Sequence, residues 1–260
     1  MKRGIMFGAI AAALCSAAYA NNQAMEVVSI IGSKEDARQL AGTGSVIDSE
    51  QMGIEAARDI NQLLKIIPGI YIQEEDGYGL RPNIGIRGAT SERSSKVTLM
   101  EDGVLIAPAP YSNPAAYYFP TTSRMHSVEV LKGAPLLRYG PQTTGGVINL
   151  ISTPIPDQMS GNINLSYGQN AEADLLANYG GRSGDFGFLI ETTQRSADGF
   201  KDIDGSNSDT GYEISDYLVK LLWEGESQSL AFKAQYSEEV SDETYLGLTD
   251  VDFNRDEDRR

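Results

Sequence analysis

The chain of 260 residues carries 21 Lys and Arg against 36 Asp and Glu, with one cysteine and one histidine. Its formal charge of −15 excludes the sequence-independent grip on nucleic acid that basic side chains obtain by neutralising phosphates. A single cysteine leaves no internal disulfide framework and no thiolate metal cluster.

Taken in chain order, Lys2 and Arg3 precede an apolar stretch at 5–14 that ends in Ala18, Tyr19 and Ala20. This is the pattern of a secretory signal, with cleavage expected after Ala20. Leu14 before Cys15 argues against lipidation, because that position normally holds a small residue. Cleavage would remove Cys15, Lys2 and Arg3 and leave the mature chain more acidic. No apolar run reaches the length of a spanning helix. Strands that cross a membrane alternate instead, so their mean hydropathy is unremarkable.

In the first part, residues 44–48 read as a strand. Residues 56–66 read as a helix with Ile60, Leu63, Leu64 and Ile67 on one face, stopped by Pro68 and Gly69. Further strands are expected at 70–73, 84–87, 97–100, 127–131 and 147–151, which makes a small α+β domain rich in turns. The stretch GPQTTGGV at 140–147 spaces Gly140 and Gly145 as a phosphate loop does. Gly146 and Val147 then stand where such a loop needs a lysine and a hydroxyl, so the glycines are assigned to tight turns and close backbone approach.

The chain changes character at 153–156, and five alternating segments follow. Ile163, Leu165 and Tyr167 define the first; Ala173, Leu175, Ala177 and Tyr179 the second; Phe186, Phe188, Ile190 and Thr192 the third. Tyr217, Val219, Leu221 and Trp223 define the fourth, and Leu230, Phe232, Ala234 and Tyr236 the fifth. Period-two alternation marks a strand with two different faces. A β-sandwich and a membrane barrel both fit it. Aromatics near segment ends (Tyr167, Tyr179, Phe186, Trp223, Tyr236) and alternating short and long connections favour the barrel.

Two metal readings are weak. Asp202, Asp204 and Ser206 with Glu213 echo a calcium loop, but Asn207 replaces its required glycine and the flanks read as strands. His126 stands alone, and a lone imidazole makes no metal site.

Seven ordered motifs resemble the TonB-dependent outer-membrane receptors, closest to their ferric citrate branch. They are MEVVSI at 25–30, LLKIIPGI at 63–70, NIGIRG at 83–88, LMEDGV at 99–104, VEVLKG at 128–133, RYGPQ at 138–142 and GGVIN at 145–149. ETYLGLTD at 243–250 resembles the ferric citrate branch as well. The resemblance implies an α+β plug domain followed by antiparallel strands of a transmembrane β-barrel, 22-stranded in the family. The expected layout is a signal peptide at 1–20, a TonB-box segment at 21–31, the plug at 32–156 and the first barrel strands and loops at 157–260.

Five strands are about a quarter of such a barrel. An unclosed sheet would leave backbone groups unpaired in lipid, so the chain reads as an N-terminal fragment. It also lacks the periplasmic signalling domain frequent in that branch, which implies transport without signalling.

By resemblance the function is TonB-dependent import of a ferric siderophore of the ferric citrate type, without covalent chemistry and with no catalytic residue. Alternatives are another siderophore, cobalamin or an oligosaccharide, or a truncated product that only binds TonB. The implied partners are TonB with its inner-membrane energising complex, the ferric siderophore and outer-membrane lipid. The receptor would be a monomer in the outer membrane of a Gram-negative cell. No cofactor or metal is held directly, since the iron arrives chelated.

Glu26, Val27, Val28, Ser29 and Ile30 would pair with TonB by strand addition. Arg81 and Arg93 would bind the anionic chelate through their guanidinium groups, with Tyr78, Tyr111, Tyr117 and Tyr118 as pocket walls. Arg87 and Lys132 match the positions that hold plug to barrel, although Lys132 lacks the planar fork of arginine.

Overall fold

The computed structural model describes residues 29–40, 42–55, 59–74, 77–106, 118–133, 139, 144–200 and 210–242. The N-terminal domain starts with α1 (Lys34–Gln39), where Ser33 and Asp36 form a reciprocal capping box, and continues into β1 (Thr43–Ile47). Two short helices follow, α2 (Ser49–Glu55) and α3 (Ile60–Lys65). The single helix expected at 56–66 is therefore shorter. The Asp59 side chain accepts from the Gln62 amide at 3.0 Å, which fixes the helix start at Ile60. Its expected face holds: Ile60, Leu63, Leu64 and Ile67 are buried.

β2 (Ile70–Gln73) and β3 (Asn83–Ile86) form an antiparallel pair. β4 (Val97–Glu101), β5 (Val104–Leu105), β6 (Met125–Lys132) and β7 (Gly146–Ser152) join β1 in a sheet of order β1-β6-β7-β4-β5. Alternation along β6 and β7 sorts the side chains of this sheet onto its two faces. Val128, Val130, Ile148 and Leu150 pack on α3 and β3, while Leu131 and Val147 pack on Ile31 and Met100 with Leu40 alongside. Each fully buried aliphatic side chain is worth roughly 1.5–3 kcal/mol.

The glycine stretch ends as a close approach. The Gly145 amide donates to the Lys96 carbonyl at 2.8 Å, and a Cβ on Gly146 would lie 2.6 Å from Ile86 Cδ1. Gly140 and the calcium-like stretch at 202–207 lie outside the described residues.

The second half is an antiparallel meander: β8 (Ser160–Tyr167), β9 (Ala173–Ser183), β10 (Phe186–Ala197), β11 (Tyr212–Glu224) and β12 (Ser229–Ser241). All five expected strands are present, most of them longer than expected. Their apolar phase faces away from the N-terminal domain, with Ile163, Leu165, Tyr167, Ile190, Leu221, Trp223, Phe232 and Tyr236 exposed. The opposite phase faces that domain and buries Leu189, Glu191, Thr193, Asp216 and Leu218.

At one end of the sheet, residues 198–211 make a long connection; at the other, 184–185 and 225–228 make short turns. β11 begins at Tyr212, earlier than the alternation suggested, because the outward residues Glu213 and Ser215 are polar there while Tyr212 and Ile214 point inward. Among the described residues no helix is long and apolar enough to cross a membrane.

Candidate functional site

Three clusters link the N-terminal domain to its surroundings. The largest lies where β4, its turn and the residues before β6 meet β10, β11 and β12. Arg124, 1% exposed, grips Glu101 with a two-pronged contact at 2.8 and 2.7 Å. Its Nε lies 3.6 Å from Asp216 of β11, whose carboxylate also accepts from the Thr121 hydroxyl. Lys233 of β12 reaches Glu101 at 2.5 Å and Asp102 at 2.7 Å.

Lys220 of β11 donates to the Thr153 carbonyl at 2.8 Å and lies 3.6 Å from Asp102. Thr153 in turn donates to Glu191 of β10 at 2.6 Å. Gln235 completes the cluster, with its amide oxygen 2.7 Å from Arg124 and 2.6 Å from the Tyr118 hydroxyl.

Asp102 takes a left-handed backbone at φ 48, which turns the chain from β4 into β5. In that position its carboxylate also accepts from the Ser152 amide at 2.9 Å. Burial pushes the Glu101 and Asp102 carboxyls up, but their cationic neighbours outweigh it. Arg124 and Lys233 hold Glu101 below the usual carboxylate range, and Lys220 and Lys233 do the same for Asp102. Burial raises the Tyr118 hydroxyl. The domain and the sheet are thus joined by charge-assisted hydrogen bonds.

The second cluster lies at the end with the long connection. Tyr78 packs edge-on against Phe200 at 5.2 Å and Tyr212 at 4.7 Å. Arg81 forms a forked pair with Glu239 of β12, at 3.1 and 2.7 Å. Arg93 has φ 49, and its amide donates to Asn83 Oδ1 at 2.8 Å, pinning its turn onto β3.

The third cluster lies on the opposite face of the first sheet from α3. Glu129, 1% exposed, accepts from the amides of Ile30 at 2.8 Å, Ile31 at 3.2 Å and Gly32 at 2.9 Å. The Ser29 hydroxyl also donates to it, and Asn149 Nδ2 donates at 2.9 Å.

Among the residues expected to act, Tyr78 and Arg81 come together at the long-connection end with β11 and β12. Tyr118 lies instead in the charged cluster. Arg87 donates to Thr43 Oγ1 at 2.9 Å and Lys132 to the Pro68 carbonyl at 2.9 Å, both inside the N-terminal domain. Burial, with the Arg87 charge second, lowers the Lys132 amine. Ser29 and Ile30 meet Glu129, whereas Glu26, Val27, Val28, Tyr111 and Tyr117 lie outside the described residues. Burial, then Lys220, lowers the His126 imidazole.

Sequence reasoning missed Glu101, Asp102, Arg124, Asp216, Lys220, Lys233 and Glu129. One signal was readable for part of this set: Asp216, Lys220 and Lys233 occupy the phase opposite the apolar one, and a charge there that meets a packed domain needs a partner.

Residues 36–147 match the TonB-dependent Receptor Plug Domain family. Vitamin B12 transporter BtuB of Vibrio vulnificus strain CMCP6 is 26% identical over 265 residues, covering 97% of this chain and 41% of that protein. The iron-regulated outer membrane virulence protein of Vibrio cholerae is 28% identical over 166 residues, covering 63% of this chain and 24% of the relative.

Among solved structures, the ferric citrate transporter FecA in its unliganded form superposes with a TM-score of 0.67 at 23% identity, over 80% of this chain and 33% of that one. The siderophore receptor PirA of Acinetobacter baumannii gives 0.64 at 20% identity, over 85% and 36%. The fold is therefore a receptor plug domain followed by antiparallel barrel strands. The chain spans 41% or less of the length of these relatives.

Proposed function

We propose that this chain forms the plug and first barrel strands of a TonB-dependent outer-membrane receptor that imports a scarce iron chelate or cobalamin, with the plug gating the barrel. The observation that carries this reading is a plug domain closed by charged groups against the polar face of a strand meander whose other face is apolar. Such a sheet suits a wall with lipid on one side and a filled lumen on the other. The plug is seated on the wall by Glu101, Asp102 and Arg124 against Asp216, Lys220 and Lys233. Contacts of this kind can be exchanged for water one at a time when the plug moves, which an apolar seal would resist.

In this reading residues 26–30 pair with TonB by adding a strand, and the inner-membrane proton gradient supplies the work. The receptor is a carrier, and no step forms or breaks a covalent bond. Arg93, with Tyr111 and Tyr117, belongs to the outward loops that meet the ligand. Arg81 and Tyr78 seat that loop region on the wall through Glu239 and Tyr212.

Two cargoes have support. A ferric citrate-type chelate is favoured by the ETYLGLTD stretch and by arginine as a carboxylate binder. Cobalamin is favoured by the BtuB relative that aligns with 97% of the chain. Titration of the full receptor in detergent with ferric citrate, a ferric catecholate and cyanocobalamin separates them. Saturable binding of ferric citrate alone supports the first cargo, and binding of cobalamin alone supports the second. Binding of none of these ligands counts against the receptor reading.

A further inference from the structure

Glu129 is an unusual use of a buried strand position. Its neighbours along β6, Val128 and Val130, fill the main core, while its own carboxylate lies on the opposite face, 1% exposed. Among the described residues no cation pairs with it; five hydrogen-bond donors surround it instead. Three are consecutive backbone amides, Ile30, Ile31 and Gly32 at 2.8, 3.2 and 2.9 Å, and the others are the Ser29 hydroxyl and Asn149 Nδ2. Asn149 is anchored on its other side by accepting from the Gly103 amide at 2.9 Å.

A buried carboxylate needs such donors to stay ionised, and a run of amides turned onto one carboxylate cannot at the same time complete a strand ladder. The segment so held runs directly into 26–30. It borders an open cleft of about 390 Å³ lined in part by Val46, His126, Ile151 and Pro154.

We propose that Glu129 is a catch that clasps residues 29–32, and that a partner strand must displace it from Ser29 and Ile30 to pair along the whole of 26–30. The catch rests on the structure. The displacement rests on the TonB-pairing reading proposed above. Glu129 then acts as a positioning residue: it ties the pulled segment to β6 and, through Asn149, to β7 and the β4–β5 turn. A pull on residues 26–30 that outlasts the catch reaches the central strands of the plug last, and one that does not is delivered to them at once.

The test uses the full receptor in lipid nanodiscs, without and with the C-terminal domain of TonB. Amide hydrogen exchange at residues 30–32 is expected to quicken at least about tenfold in Glu129→Gln, whose amide group meets donors with a donor. Ser29→Ala, a change at an exposed side chain, quickens it by about threefold and decides the matter if Glu129→Gln fails to fold. TonB affinity is expected to tighten in Glu129→Gln by a similar factor. Unchanged exchange in both variants overturns the catch. Faster exchange with unchanged TonB affinity overturns the displacement. Faster exchange with no TonB binding to either variant or to the parent receptor sinks the pairing reading and leaves the catch standing.

Discussion

The plug and the wall bury side chains by opposite rules. In the plug, one sheet is covered on both faces, so β6 from Val128 on and all of β7 are buried, with Glu129 and Asn149 as polar side chains among the apolar ones. In the wall, β10 and β11 leave much of their apolar phase exposed and bury the opposite phase against the plug, while β12 is buried only at Ser241 and reaches the plug through Lys233, Gln235 and Glu239. A charge therefore means different things in the two halves. In β6 it is an exception that backbone donors must satisfy, and in β11 it is half of a joint whose other half lies far away in sequence.

The largest break in this contrast is Arg124→Ala. It takes away the cation beside Asp216 and leaves Glu101 to Lys233 alone, at about 3–5 kcal/mol for a broken buried pair. Denaturant unfolding of the plug within the full receptor measures it, and a loss under about 1 kcal/mol would mean that water enters the joint freely.

A second break inverts the wall. Leu221, exposed on the apolar phase, is expected to cost about 2–4 kcal/mol as Leu221→Arg if it lies near the bilayer midplane. Folding into lipid vesicles reads this out. An unchanged folded fraction would mean that this face does not meet lipid.

Lys233→Ala is smaller, about 1–3 kcal/mol, because Arg124 still serves Glu101 and Lys220 still stands near Asp102. Protease access to the β4–β5 turn should increase while the core of the plug stays folded. Unchanged access would assign Lys233 no part in seating the plug.

The pH dependence is the mildest effect and sharpens the same joint. Glu101 and Asp102 are held below their ordinary values of 4.5 and 3.8, so their contribution is complete above those values and is lost as pH falls through the lowered ones. Plug release should therefore set in only in acid below the ordinary carboxylate range, and Lys233→Ala should move it to higher pH. Release that is flat across that range would contradict the assignment.

These rules also explain what could be read in advance. The wall strands were legible because alternation is local: Tyr217, Val219, Leu221 and Trp223 announce a two-faced strand without any knowledge of the partner. The helix face of Ile60, Leu63 and Leu64 was legible for the same reason, whereas the helix start at Ile60, fixed by the Asp59 cap, was hidden inside a stretch of good helix formers.

The joint was not legible. Glu101 lies far from Lys233 in the chain, and each alone looks like a solvated charge. Arg81 reads as a free loop guanidinium until β12 brings Glu239 to it. Arg87 and Lys132 bond to Thr43 and Pro68 within the plug, and the wall glutamates expected to face them would lie beyond Arg260. Glu129 sits in VEVLKG like any alternating strand residue, and only the folded-back segment at 29–32 reveals its donors.

The central proposal, that force enters through residues 26–30, is tested most directly by Val28→Pro in cells whose only route for the cargo is the full receptor. Proline removes a ladder donor from the pairing strand without touching the plug or its loops. Energised uptake of the radiolabelled cargo is expected to fall at least about tenfold, while cargo binding at the cell surface stays at the parent level. Uptake equal to that of the parent receptor would contradict the account.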